Sequence, residues 1–246
     1  IYRYRIQSTN AGGDSGFSII TEAQTFDNPP SAPTGLIASP FSSFQINLSW
    51  NDNSTDETGF FIQRCTGDTS VCVNDTDFTW STITGANISS YSDPGLFPST
   101  TYTYRVRAYN TGGNSSFSSS ATATTLPTIP SAPTGVTATA NSSSQITVTW
   151  TASAGATGYK VWRCQNAGCT PVLTNPTVGT PGASPFVDPG LTANTTYGYV
   201  VKATNAGGDS LAASTPVAYA TTVVAAPAAP TGVTATANSS SQITVT

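Results

Sequence analysis

Thr101–Ser115 reads TYTYRVRAYNTGGNS, and it opens on a strict alternation of Tyr102, Tyr104, Val106 and Ala108 against Thr103, Arg105 and Arg107. A period of two is the period of a strand, so the tyrosines belong to a core and the arginines to a wet face. Gln45–Trp50 (QINLSW) alternates in the same way, with Ile46, Leu48 and Trp50 on one side; Phe60 and Ile62 add a third stripe. Ile1–Ser15 (IYRYRIQSTNAGGDS) matches Thr101–Ser115 at an offset of 100. Ala132–Thr149 (APTGVTATANSSSQITVT) returns unchanged as Ala229–Thr246. A second set of stripes comes from Ile146, Val148 and Trp150, from Tyr159 and Val161, and from Tyr197, Tyr199, Val201 and Ala203. Self-similarity at this period predicts a tandem array of like modules.

Pro-rich joints at Pro29-Pro30, Pro127 to Pro133 and Pro227 to Pro230 divide the array. They predict two C-terminal strands over 1–28, whole modules over 29–126 and 127–223, and two N-terminal strands over 224–246. Prolines at such short joints restrict the backbone and make semi-rigid spacers. No stretch has helical periodicity. Short alternating segments bounded by Gly, Pro, Asn and Ser, about seven in each module, describe a two-sheet antiparallel sandwich. The end pieces cannot bury their own apolar faces, which leaves Tyr2, Tyr4 and Ile6, and Val233, Ile243 and Val245, exposed. That favours a longer parent chain over neighbouring chains completing one another by strand exchange, because the two pieces together still lack the middle strands.

The features A-P-T-G at each module start, Trp50 and Trp150 at the end of a strand, and L-x-x-x-T-x-Y (Leu96 to Tyr102, Leu191 to Tyr197) resemble the fibronectin type III family. The turn N-A-G-G-D-S at Asn10 and Asn205, with N-T-G-G-N-S at Asn110, is also similar to that family. The resemblance covers the whole chain. It implies an all-β fold of tandem seven-stranded immunoglobulin-like sandwiches. It also implies a tyrosine corner, in which the hydroxyls of Tyr102 and Tyr197 bond back to the backbone near Leu96 and Leu191. The fold itself is nearly silent on function.

The four cysteines fall as two close pairs, Cys65/Cys72 and Cys164/Cys169, after GFFIQRC and GYKVWRC. Local, even-numbered, repeated cysteines predict one disulfide per module and an oxidising compartment. A four-cysteine metal site is the rival reading, and the hundred-residue separation of the pairs argues against it. The short cysteine hairpin resembles that of secreted bacterial members of the family.

Charged residues are only 8% of the chain, its net charge is -4, and it has no histidine. There is no basic face for nucleic acid. Without histidine the commonest general base and metal ligand is missing, and no nucleophile–base pair, recurring carboxylate pair or phosphate loop presents itself, so no catalytic residue, metal or cofactor is expected. No apolar run reaches the roughly 20 residues of a membrane span.

Three weaker signals concern contact. Asp52, Asp56 and Glu57 crowd the loop NDNSTDETG, which could in principle bind Ca²⁺; the spacing is that of no calcium loop, the second module has TASAGATG instead, and a solvated turn is the better reading. Phe61 and Trp162 lie one residue off the buried stripe and should face outward, with Trp80 joining Phe61 from the next strand. They are candidates to stack on a glycan or meet a neighbouring chain, or else simply to cover the sheet edge or the disulfide. Sequons begin at Asn47, Asn53, Asn74, Asn87, Asn114, Asn141, Asn194 and Asn238, and all but the strand residue Asn47 are glycosylation candidates, although a chain so rich in Asn, Ser and Thr makes such triplets by chance. The Gly-Gly turn carries no Arg, so it offers no Arg-Gly-Asp.

These features predict a non-catalytic extracellular or cell-surface array. The leading form is a structural, adhesive stalk or fibre, open to assembly into filaments, whose partners are neighbouring copies, other surface proteins or glycans. The alternative is a spacer within a secreted polysaccharide-degrading enzyme. A catalytic or carbohydrate-binding module beside the repeats would mark the spacer, and many further sandwiches would mark the stalk.

Overall fold

The computed structural model describes residues 1–25 and 27–246, which form two compact units, Ile1–Thr128 and Ile129–Thr246. The first unit begins with β1 (Tyr2–Tyr4), β2 (Thr9–Asn10), β3 (Gly13–Asp14) and β4 (Thr21–Ala23), in which β1 pairs with β4 and β2 with β3. Tyr2 and Tyr4 stand exposed on β1, and Ile6 stands exposed between β1 and β2.

A full sandwich follows. Its strands are β5 (Thr34–Ser42), β6 (Gln45–Asn51), β7 (Gly59–Thr66), β8 (Trp80–Gly85), β9 (Ser90–Pro94), β10 (Thr101–Asn110), β11 (Gly113–Asn114) and β12 (Ala121–Thr124). One sheet has the order β5-β6-β9. The other runs β11-β10-β7-β8, with β12 also on β10. All pairings are antiparallel, and the alternation read from the sequence sets the register: Phe60 lies opposite Ala108 and Ile62 opposite Val106. Ile46, Leu48 and Trp50 of one sheet pack against Phe60, Ile62, Tyr102, Tyr104 and Val106 of the other. The Trp50 and Phe60 rings meet edge-on, with centroids 5.5 Å apart.

The second unit repeats the plan with β13 (Thr134–Ser142), β14 (Gln145–Thr151), β15 (Gly158–Gln165), β16 (Phe186–Pro189), β17 (Thr196–Asn205), β18 (Gly208–Asp209) and β19 (Ala218–Thr221). Its core joins Ile146, Val148 and Trp150 to Tyr159, Val161, Tyr197, Tyr199 and Val201. One expected strand is missing. Residues 166–185, all described, make a single bridge between Val161 and Gly179 where the first unit has β8. Pro171, Pro176, Pro181 and Pro185 lie in this segment. Proline cannot donate to a ladder, so the edge remains a loop. The chain closes with the pair β20 (Ala235–Ser239) and β21 (Gln242–Val245), on or beside which Val233, Ile243 and Val245 are exposed.

Candidate functional site

The outward face of β7 and β10 is the surface expected to be wet and open to a partner. It is largely occupied from within. Arg105 is nearly buried, with its guanidinium between the rings of Phe78 (4.0 Å) and Phe117 (3.9 Å). It donates to Gln63 Oε1 at 2.7 and 2.8 Å and pairs with Asp75. Arg107 lies over Phe117 at 4.7 Å and over Phe61 at 5.5 Å, and Phe61 sits 5.0 Å from Tyr109. A guanidinium on a ring face contributes about 0.5–1 kcal/mol when exposed and roughly 2 when desolvated. It also occupies the face on which a sugar would stack.

The aromatic contact residues therefore separate. Phe61 is half-buried under Arg107. Trp80 does not join Phe61, whose cross-strand partner is Ile83. Register pairs Trp80 with Arg64, which turns the indole inward against Tyr91 (6.2 Å) and beneath the Arg64 guanidinium (4.5 Å). Trp162 leaves the core stripe as expected, yet it is buried and donates its indole N–H to Asn175 O at 2.9 Å. The loop that replaces the missing strand covers it. None of the three is an open stacking platform.

The cysteines form the bridges Cys65–Cys72 and Cys164–Cys169, with Cα separations of 5.9 and 6.0 Å. Closing loops this short contributes about 2–2.5 kcal/mol in the chain-entropy treatment. The first bridge packs with Phe78 beneath Arg105, and the Tyr219 hydroxyl donates to Cys169 O beside the second. Each bridge thus anchors the segment that covers the outer face.

In the acidic loop the carboxylates diverge. Asp52 accepts from Ser54 N, Asp56 from the Ser54 hydroxyl, and buried Glu57 from Asn87 N. Among the described residues no group of three His, Cys, Asp or Glu side chains is placed to hold a metal. The Gly-Gly turns are tight and need positive φ at their second glycine: 119° at Gly13, 133° at Gly113 and 125° at Gly208.

Both tyrosine corners are present. Phe97 N and Thr192 N each donate at 3.0 Å to the hydroxyls of Tyr102 and Tyr197. Beneath them lies a constellation missing from the sequence reading. Asp93 is almost wholly buried and accepts from Arg64 Nη1 at 2.7 Å and from the Tyr104 hydroxyl at 2.9 Å. Asp188 does the same with Arg163 at 2.9–3.0 Å and with Tyr199 at 2.8 Å. The signal was there to find: Arg precedes the first cysteine of each pair, and D-P-G-L recurs at Asp93 and Asp188.

Burial first, and then the neighbouring carboxylate, push the Tyr104 and Tyr199 hydroxyls far above the ordinary tyrosine range. A raised tyrosine pKa means that the fold favours the neutral phenol. The associated stability is complete below the unfolded value of about 10 and is lost as pH rises beyond it. In an absorbance titration at 295 nm, Tyr104 and Tyr199 are expected to ionise only as the chain unfolds. Tyr104→Phe and Tyr199→Phe together should remove that late fraction. Ionisation of every tyrosine near pH 10 with near-UV circular dichroism intact would contradict this.

The sequons sit unequally. Asn53 Nδ2 donates to Ala32 O and Thr34 Oγ1, and Asn141 Nδ2 to Gln145 and Thr147, so both amide hydrogens are engaged at each. A glycan on either would displace one of those bonds. Asn238 Nδ2 donates to Thr244. Asn74 opens the short 3-10 turn Asp75–Asp77, Asn87 and Asn194 adopt left-handed backbone at φ 57° and 50°, and Asn114 is exposed on β11.

The family model of the fibronectin type III domain matches residues 31–124 and 131–219. Exoglucanase B of Cellulomonas fimi is 30% identical over 236 residues, which is 89% of this chain and 19% of that protein. Endoglucanase B of Cellulomonas fimi is 31% identical over 75% of this chain and 17% of its own length. Chitinase A1 of Niallia circulans is 31% identical over 78% of this chain and 26% of its own. The chain thus spans about a quarter or less of the length of these relatives. Among solved structures, the chicken CNTN1 FN1-FN3 domains align with a TM-score of 0.56 at 22% identity, over 90% of this chain and 75% of that one.

Proposed function

The chain belongs to the fibronectin type III family, and from that premise we propose that it is a non-catalytic spacer in a secreted bacterial enzyme that degrades a polysaccharide. The observation that carries this reading is the run of relatives. Three proteins named for glucan or chitin breakdown each resemble three quarters or more of this chain, while the chain answers to only a small part of each. A segment of that proportion within such enzymes is suited to separating modules that do the chemistry.

The geometry supports the same reading. Each sandwich has its own closed core, a cross-sheet ion pair and a disulfide-anchored cover over its outer face. Those devices hold a shape, and the outer-face aromatics are bound up in it. The adhesive stalk or filament expected first from the repeats is the weaker reading, because no relative reported above is named for adhesion or assembly. Among the described residues no helix is long and apolar enough to cross a membrane. On the spacer reading the immediate partners are covalently attached modules, and contact with glycan passes through them.

The test compares the native protein with the isolated 246-residue chain on insoluble cellulose and chitin. Native protein is expected to release soluble sugar from one of them, and the isolated chain to release none. Sugar release by the isolated chain would refute a non-catalytic role. A native protein inactive on every polysaccharide tried, and built only of further sandwiches, would return the stalk to first place.

A further inference from the structure

In the first unit, the Gly-Gly turn between β10 and β11 is pressed against the linker that precedes β5. Asn110 Nδ2 donates to Asn28 O at 2.9 Å, and the Thr111 hydroxyl bonds the Asp27 carboxylate. Gly112 lies so close that a Cβ there would stand 1.9 Å from Asp27 O and 2.8 Å from the Asn28 carbonyl carbon. Gly113 faces the Pro29 ring at 3.5 Å by the same measure. Four consecutive residues of the turn thus meet three consecutive residues of the linker. No side chain larger than hydrogen fits at Gly112 without a shift.

One contact of this set recurs. In the second unit the corresponding Gly208 faces the Ile129 side chain at 3.4 Å, and Ile129 stands four residues before Pro133 as Pro29 stands four before Pro33. The turn is braced in the same way in all three copies. At Asn10–Gly13 the Asn10 side chain accepts from Gly12 N at 2.7 Å, as Asn110 does from Gly112 N at 2.8 Å and Asn205 from Gly207 N at 2.8 Å. Nothing lies within 4 Å of a Cβ at Gly13. The turn's own Asn–Gly bond holds its shape in each copy, and such preorganisation lowers the cost of seating a segment on it.

We propose that the Asn-x-Gly-Gly turn of each module is a receptor for the linker in front of it, so that the joint is clasped rather than loose. Both turn glycines then have a purpose: the second supplies positive φ, and the first supplies bare backbone for the linker to lie on. A clasp of this kind keeps a short Pro-rich joint from swivelling, which sets how far apart a spacer holds its neighbours. That last consequence rests on the spacer reading, whereas the clasp does not.

The experiment is ¹⁵N relaxation on the 246-residue chain, read at the Asp27 and Asn28 amides. Rigid backbone has an order parameter of about 0.85, and flexible backbone falls below about 0.6. The native chain is expected to be rigid at both amides. Gly112→Ala, whose Cβ meets Asp27 O, should drop both below about 0.6 while the amides of β7 and β10 are unchanged. Asp27→Ala lies outside the sandwich and removes the Thr111 contact; it should lower the same two values by a smaller amount, and it decides the matter if Gly112→Ala disturbs the sandwich. Mobile amides in the native chain would overturn the proposal. So would rigid amides in both variants, which would assign the stiffness to the prolines alone. Neither result bears on whether the native protein degrades a polysaccharide.

Discussion

Asp93→Ala is expected to lower the melting temperature of the first unit by roughly 15–30 °C and to leave the transition of the second unit in place. Asp93 reaches across the sandwich from β9 to Arg64 on β7 and Tyr104 on β10, tying one sheet to the other through a carboxylate with almost no exposure. Removing it leaves a mostly buried guanidinium and a wholly buried phenol without their acceptor. Breaking a buried pair from one side costs about 3–5 kcal/mol, and a domain of this size loses about 4–8 °C per kcal/mol. Arg64 cannot readily turn to water, since it is held over Trp80 and Tyr102. The equivalent change, Asp188→Ala, should cost the second unit less. Arg163 is 31% exposed against 19% for Arg64, and among the described residues Tyr197 is the one ring under it. Calorimetry of the intact chain separates the outcomes. Loss of both transitions together would mean that the two cores are not independent, and a shift below about 5 °C would mean that Arg64 finds solvent at little cost.

Trp50→Ala is expected to destabilise the first unit by about 3–5 kcal/mol, and Trp50→Phe by far less. The indole fills the centre of the sandwich and meets Phe60 edge-on, so truncation opens a cavity between well-packed sheets. Among the described residues its N–H has no protein acceptor, and neither has that of Trp150 at the same place in the second unit. Phenylalanine keeps most of the apolar volume and removes a buried donor whose desolvation otherwise costs about 1–3 kcal/mol. Volume should therefore decide the energy at this position, and hydrogen bonding should not. Denaturant midpoints of the two variants give the comparison. If Phe proved as damaging as Ala, the indole N–H would have to hold a bond that the packing does not reveal.

Trp50 and its stripe were legible in QINLSW, because a strand's period of two assigns faces from a few adjacent residues. Nothing adjacent announces Asp93. Its partner Arg64 lies 29 residues away, and each residue alone reads as a surface charge. The spacer reading likewise needed the relatives, since the repeats alone put the stalk first.

The sequence by itself determined the repeat, the alternating core faces and the pairing of neighbouring cysteines. All of these follow from periodicity or from contacts closed within a few residues. Only the tertiary structure decided what covers each face. Arg105 and Arg107 were read as wet and lie on Phe61, Phe78 and Phe117. Trp162 was read as outward and lies under its own loop, and Trp80 turned inward to Arg64. Four prolines removed a strand that the first repeat had led one to expect. Alternation states which way a side chain points. Which groups meet it there depends on segments tens of residues distant, brought together by packing, and that information resides in the fold.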